Sequence, residues 1–346
     1  MQIPAERPAM VLAPMQDVTD LAFMRVIARR GAPDWFVTEY FRVHPISKPE
    51  AHILRAIRGN TTGRPVYAQL IGRDRESLAR TIRALEDEAV AGIDLNLGCP
   101  APVVCRKDAG GGLLRDTAAL DGLLGFLRDT VRGRLTVKTR VGYATPDEFG
   151  KLLDVFRRHS PDGLTVHGRT VAERYRTPVH TGAIRRAVEA MPCPVIANGN
   201  AVDVETARAL LAGSGAAGVM VGRGAIRNPW IFAQLEAAFS GRPVCRPTHR
   251  DLLGYVAELY DELAALTANF DPLKHVRRMK RTLAYISEGI AGGEFGYRIR
   301  RAETEEDFHG ICQEHLDHDD PLPALPPEES GIFRGFRALL AEDPTS

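Results

Sequence analysis

A short apolar run, a polar or glycine-bearing loop and a helix-like segment recur eight times between residue 10 and about residue 240. The runs are MVLAP (10–14), WFVTEY (35–40), VYAQLIG (66–72), GIDLNLG (92–98), LTVKTRV (135–141), GLTVHGR (163–169), PVIANGN (194–200) and GVMVGR (218–223). Between them, RESLARTIRALEDEAVAG, PDEFGKLLDVFRRH and VETARALLAG carry apolar residues at helical spacing. Strands that alternate with helices imply a parallel sheet. Eight such units in about 240 residues fit an α/β fold of the closed (β/α)8 TIM-barrel type better than an open doubly wound sheet. The open sheet also wants GxGxxG after its first strand, where this chain reads APMQDVTD.

In a barrel, the C-terminal strand ends share one mouth, and active sites lie there. Pro14, Met15 and Gln16 follow strand 1, Glu39 follows strand 2, and Gln69 lies in strand 3. Asn96 and Cys99 end strand 4, Lys138 and Arg140 belong to strand 5, and His167 to strand 6. Asn198, Gly199 and Asn200 end strand 7, and Gly222 and Arg223 end strand 8. The loops after strands 7 and 8 often hold phosphate in barrels. Gly199, Gly222 and Gly224 would let backbone approach an anion, and Arg223 would add charge-assisted hydrogen bonds. Lys138 stands in an otherwise apolar strand, so it either finds an anionic partner or sits at the rim with its head in water. The N1–C2=O edge of a reduced flavin is one such partner.

Cys99, in NLGCP, is placed to act as a general acid or, if activated, as a nucleophile. The run Gly110-Gly111-Gly112 farther along the same loop is expected to hinge a lid. Cys105 is a second candidate thiol; Cys193, Cys245 and Cys312 read as packing residues. No CxxC pair occurs, which argues against a zinc site, so no metal is expected. The odd cysteine count suggests reduced thiols and a cytoplasmic home. No apolar run is long enough to span a bilayer, and MQIPAERPAMVLAP lacks the pattern of a signal peptide.

APMQDVTD, NLGCP with the later GGGLL, VKTRVG, VHGRT, IANGN and VGRGA occur in this order at barrel spacing. Together they resemble the tRNA-dihydrouridine synthases, over residues from about 11 to 235 and more weakly beyond. The resemblance implies an FMN-dependent reductase of tRNA D-loop uridines with NADPH as reductant. It implies Cys99 as the proton donor to uracil C5, with hydride passing from the reduced flavin to C6. Pro14, Met15, Gln16, Gln69, Lys138 and His167 would surround the isoalloxazine. Asn198, Gly199, Asn200, Gly222 and Arg223 would hold the ribityl chain and phosphate. Asn96 and Tyr175, with Glu39 and Arg140, would meet the substrate nucleotide. The uridine would leave its stack to enter the mouth. Gln16 and Cys105 are this chain's own variations on the pattern.

From about residue 248 the strand signals stop. The division expected is a flavin-binding barrel over 1–243 and a helical tRNA-binding domain over 244–346. In LKHVRRMKRTLAYISEGI, Lys274, Arg277, Arg278 and Arg281 share one face, with Lys280 in the same basic segment. Val276, Met279, Leu283 and Ile286 share the other. Such a face is either a solvated surface or a phosphate-backbone contact; the family resemblance implies tRNA. The formal net charge of +1 hides an asymmetry. Residues 303–346 hold 12 acidic and two basic residues, so the remaining chain carries 43 basic against 32 acidic residues. The acidic stretch is expected to be a tail lying away from the RNA face, or competing with RNA for it.

Two other readings remain open on sequence. One is a flavin barrel reducing or oxidising a free pyrimidine, as in dihydroorotate dehydrogenases, which has no use for a basic helix. The other is a non-catalytic tRNA-binding protein, against which the intact Cys99 and Lys138 stand. A monomer is the default expectation.

Overall fold

The computed structural model describes residues 3–267 and 269–341. Eight strands form the barrel: β1 (Ala9–Leu12), β2 (Trp35–Val37), β3 (Val66–Ile71), β4 (Gly92–Leu97), β5 (Leu135–Arg140), β6 (Gly163–His167), β7 (Val195–Asn198) and β8 (Gly218–Val221). Each pairs in parallel with the next, and β8 pairs with β1, which closes the ring. Phe41–Arg42 adds a short extra pairing along β3. The barrel read from the alternation is therefore present. The strands β1 and β2 stop at Leu12 and Val37, short of the apolar runs, because those runs include the first residues of the mouth loops.

The outer helices are α1 (Leu21–Arg30), α2 (Ala51–Arg58), α3 (Arg75–Glu86), α4 (Thr117–Thr130), α5 (Phe149–His159), α6 (Thr181–Ala190), α7 (Val204–Ser214) and α8 (Ile231–Phe239). Four start on an aspartate whose carboxylate accepts backbone N–H groups of the first turn: Asp20, Asp74, Asp116 and Asp203. Strand residues alternate between two environments. Met10, Leu12, Phe36, Leu70, Ile93 and Leu95 pack in the large core with the helices. Ala9, Val11, Trp35, Val37, Tyr67, Ile196 and Met220 form a separate inner cluster. At the same parity on β3 to β5 the interior turns polar: buried Asp94 accepts from Gln69 at 2.7 Å and from Thr136 at 2.6 Å.

Beyond α8 lie α9 (His249–Ala265), α10 (Pro272–Ile286), α11 (Glu294–Arg301) and α12 (Glu305–Leu316). Their core includes Tyr255, Leu259, Met279, Leu283, Phe295 and Phe308, together with Ala22 and Val26 of α1. Arg29 and Arg30 of α1 pair with Glu258 and Glu262 of α9, tying the helices to the barrel. The apolar face expected on α10 is buried in this core.

The acidic stretch is folded over part of its described residues. Thr304 and Asp307 form the capping box of α12, whose Phe308, Cys312 and Leu316 are core residues. Asp317 and Asp319 pair with Arg250, and Glu314 with Arg298. These acids sit on a folded element because their apolar neighbours bury it. Glu342 and Asp343 lie outside the described residues. After α12 the chain returns to the barrel, where Leu339 joins the large core.

Candidate active site

The strand register sets the site. Asn96 lies opposite Lys138, Arg140 opposite His167, and His167 opposite Asn198. These adjacent strand ends surround a cavity of about 320 Å³ at the mouth. Of the residues expected around a flavin, Pro14, Met15, Gln16, Lys138, His167, Asn198, Gly199, Asn200, Gly222 and Arg223 all line it. So do Cys99, Asn96, Arg140 and Tyr175.

Gln69 does not reach the cavity wall. It is fully buried one layer below, between Asp94 and Asn96, whose Nδ2 donates to Gln69 Oε1 at 2.7 Å. Its reach to the site is through Asn96. Glu39 also lies beside the cavity rather than in it. Glu39 Oε2 accepts from Gln16 Nε2 at 2.9 Å and faces a second cleft of about 330 Å³. That cleft is lined by Asp17, Asp20, His52 and the α10 residues Lys274, Arg277, Arg278 and Arg281. Lys280 is not among its walls and is half-buried. The basic face of α10 is partly neutralised there, Arg278 by Asp20 and Arg281 by Asp17 at 3.6 Å.

Cys99 is held by its backbone. Asn96 Oδ1 accepts from the N–H groups of Gly98 and Cys99, each at 3.0 Å. Cys99 O accepts from Gly111 N at 3.1 Å and from the Cys105 thiol at 3.5 Å. The Gly110–Gly112 run is not a hinge. It opens a buried 3-10 turn, Gly110–Arg115, packed beneath Cys99. A Cβ on Gly111 would stand 2.9 Å from Cys99 O and 2.7 Å from Val171 Cγ2. Glycine is required by close approach, which a sequence cannot distinguish from flexibility. Cys105 is buried and its thiol faces a carbonyl, with burial pushing its pKa up.

The other wall is cationic. Lys138 Nζ donates to Asn198 Oδ1 at 3.2 Å, and burial, aided by Arg140, pushes its pKa down to about 8. Arg140 is buried, donating to the carbonyls of Gly98 at 2.8 Å, Thr170 at 2.9 Å and Arg174 at 2.8 Å. Tyr175 stands half out of the surface, its ring 5.2 Å from the Arg140 guanidinium and 4.4 Å from that of Arg223. Burial, and then the charges of Arg140, Lys138, Arg169 and Arg223, hold His167 well below its ordinary pKa, so its ring is neutral at pH 7.

Three residues at the site were not singled out by the strand-end pattern. Arg169 is fully buried two residues beyond β6, and its Nη1 has no partner. Tyr40, in WFVTEY, lines the cavity beside Cys99. Phe333 reaches the cavity from far along the chain. Only Arg169, inside VHGRT, carried a sequence signal, a charged residue just past a strand end.

The model of the family described as dihydrouridine synthase (Dus) matches residues 11–316. The chain belongs to the dihydrouridine synthase family. Dihydrouridine synthases are flavin-dependent oxidoreductases, and tRNA-dihydrouridine synthesis is accordingly the activity of this chain. It is 28% identical to the tRNA-dihydrouridine(16) synthase of Neisseria meningitidis serogroup B over 90% of this chain and 96% of that one. It is 31% identical to the tRNA-dihydrouridine(16) synthase of Pseudomonas putida, over 80% of this chain and 87% of the relative. It is also 31% identical to the tRNA-dihydrouridine synthase B of that organism, over 87% and 89%. Among solved structures, histamine dehydrogenase from Rhizobium sp. 4-9 superposes with a TM-score of 0.54 at 11% identity, covering 92% of this chain and 64% of that one; the likeness is one of fold. Among the described residues of this dihydrouridine synthase, no helix is long and apolar enough to cross a membrane.

Proposed function

We propose that this chain reduces the C5=C6 bond of uridine 16 in the tRNA D-loop, with FMN as its flavin, NADPH as reductant and Cys99 as proton donor. The observation that carries the reading is the cavity at the mouth. Cys99 and Asn96 line it together with the glycine loops of β7 and β8, the cations Lys138, Arg140 and Arg223, and the aromatic ring of Tyr175. Position 16 is supported by the names of several relatives.

The residues fit an FMN. Gly199, at φ +130°, and Gly222 bring backbone to the cavity wall beside Asn198 and Met15. His167 Nδ1 and Arg169 Nη1 are buried donors or acceptors without partners, which suits a polar, anionic cofactor. Lys138 would face the N1–C2=O edge; Gly199, Asn200, Gly222 and Arg223 would hold the phosphate. Bound and reduced, the flavin supplies the hydride for uracil C6.

The chain's own residues do the rest. Asn96 fixes the backbone on which Cys99 sits, so the thiol points from a rigid loop. The thiol is the group at this position able to give a proton to the uracil ring. Cys99 gives its proton to C5 and recovers one from solvent. Tyr175, exposed and carried on two guanidinium groups, offers an aromatic face to the flipped nucleotide.

Cys99→Ala should abolish dihydrouridine formation in tRNA while flavin stays bound. A fully active variant would refute the proton-donor role. Mapping dihydrouridine in tRNA from a deletion strain should show loss at position 16; loss elsewhere would refute the position.

A further inference from the structure

The family match ends at residue 316, and the chain then runs back across the barrel mouth. Its path is pinned along the way. The buried guanidinium of Arg227 donates to the carbonyls of Pro323 at 2.8 Å, Ala324 at 3.1 Å and Leu325 at 2.8 Å. Ser330 Oγ then turns the chain by accepting from the N–H groups of Ile332 at 3.2 Å and Phe333 at 3.1 Å.

From Ile332 onward the chain meets the cationic end of the cavity. Arg223 donates to the carbonyl of Ile332. Arg169 Nη2 and Asn200 Nδ2 both donate to the carbonyl of Arg334, each at 3.2 Å. Phe333 is buried, forms part of the cavity wall, and packs with Phe336 and Val202. Gly335, at φ +75°, crosses where a Cβ would lie 3.2 Å from Thr177 O, 3.4 Å from Arg169 Nη2 and 3.5 Å from Asn200 Nδ2.

Arg140, Arg169 and Arg223 thus meet at one end of the site with carbonyl oxygens as partners and no carboxylate paired to any of them among the described residues. Buried charges without counter-charges are costly. Arg169 also keeps Nη1 free and buried. The arrangement calls for an anion beneath the returning segment, and the cavity lies there with Phe333 as part of its wall.

We propose that Ser330–Arg337 completes the flavin site, orienting Arg169, Arg223 and Asn200 toward the flavin's terminal phosphate and closing the exit above it. The inference rests on the flavin reading of the cavity. Ile332 and Arg334 act through their carbonyls, and Phe333 acts as a wall, so these are positioning residues. The segment's main effect is on how long a phosphorylated flavin stays bound.

The test uses the full chain loaded with FMN. Release is monitored by the fluorescence gain of free flavin after large dilution, for wild type, Phe333→Ala and Gly335→Val. Riboflavin, which lacks the phosphate, is measured in parallel by equilibrium titration. Both variants should release FMN at least tenfold faster, and the preference for FMN over riboflavin should fall. Gly335→Ala, a milder change at the same crossing, should move in the same direction if the larger substitutions unfold the chain. Unchanged FMN release in folded variants would overturn the proposal. Slower release or tighter FMN binding would also overturn it, because the segment would then occupy the phosphate's place. A wild-type chain that binds no FMN would sink the flavin reading itself, a distinct outcome from a bound flavin indifferent to the segment.

Discussion

Glu39 is buried at 3% exposure between the mouth and the basic helix, and its folded-state pKa is raised from 4.5 to about 7. Burial is the main cause; Asp20 and Asp17 push the same way, while the Asp17 backbone and Arg278 oppose it. The folded chain therefore holds a proton that the unfolded chain has lost across this window. Stability from this group is complete below about pH 4.5 and is lost as pH rises to about 7. The difference corresponds to roughly 3 kcal/mol once the carboxylate is ionised. Glu39→Gln removes that dependence. Its Oε1 can still accept from Gln16 Nε2, and its amide can donate to Gln16 Oε1, which is buried without a partner. The variant should match wild type near pH 4.5 and exceed it by about 1–3 kcal/mol at pH 8. Urea unfolding monitored by tryptophan fluorescence suits the test, because buried Trp35 lies on the same strand run. Parallel pH–stability curves, or a variant less stable than wild type at pH 8, would refute the reasoning.

Gly111→Ala places a methyl against Cys99 O and Val171. It should cost about 1–3 kcal/mol in unfolding free energy and lower kcat more than it weakens flavin binding; unaltered kinetics would mean the loop yields freely. Arg277 is exposed on the α10 cleft and has no ion-pair partner among the described residues. Arg277→Ala should weaken tRNA binding and reduce the slope of log K against log salt by about 1. A slope equal to wild type would remove Arg277 from the RNA contact.

The barrel was legible because each β/α unit writes its own local pattern, and eight repeats leave few architectures. The strand-end rule then brought Cys99, Lys138, Arg140, His167, Asn198 and Arg223 to one cavity. It could not give depth. Gln69 and Asn96 have the same inward parity on neighbouring strands, yet Gln69 lies a layer below and touches the site only through Asn96. Nor could composition separate a hinge from a tight contact at Gly110–Gly112, since the neighbours that demand glycine come from other elements. Phe333 left no signal at all. Its docking depends on Arg223, Arg169 and Asn200, more than 100 residues earlier, and no local periodicity encodes a contact of that range.

The charge balance now divides into two systems that behave differently. Lys138, Arg140, Arg169 and Arg223 are fixed around the cavity by hydrogen bonds to amide or carbonyl oxygens, and burial lowers the pKa of each. Their hydrogen bonds hold a positive field at the cavity, which suits the anionic ligand proposed above. On α10 three cations are paired, Arg278 with Asp20, Arg281 with Asp17 and Lys274 with Asp271, while Arg277 has no ion-pair partner among the described residues. The exposed pairs, Arg281–Asp17 and Lys274–Asp271, contribute about 0–1 kcal/mol each. A tRNA phosphate can therefore replace Asp17 or Asp271 at small cost, which leaves the α10 face available to RNA despite its carboxylates. Glu314 of α12 and Asp317 and Asp319 just after it do not enter this exchange, because they are engaged by Arg298 and Arg250. A near-neutral total is thus compatible with a basic α10 face, since Glu314, Asp317 and Asp319 are paired away from it.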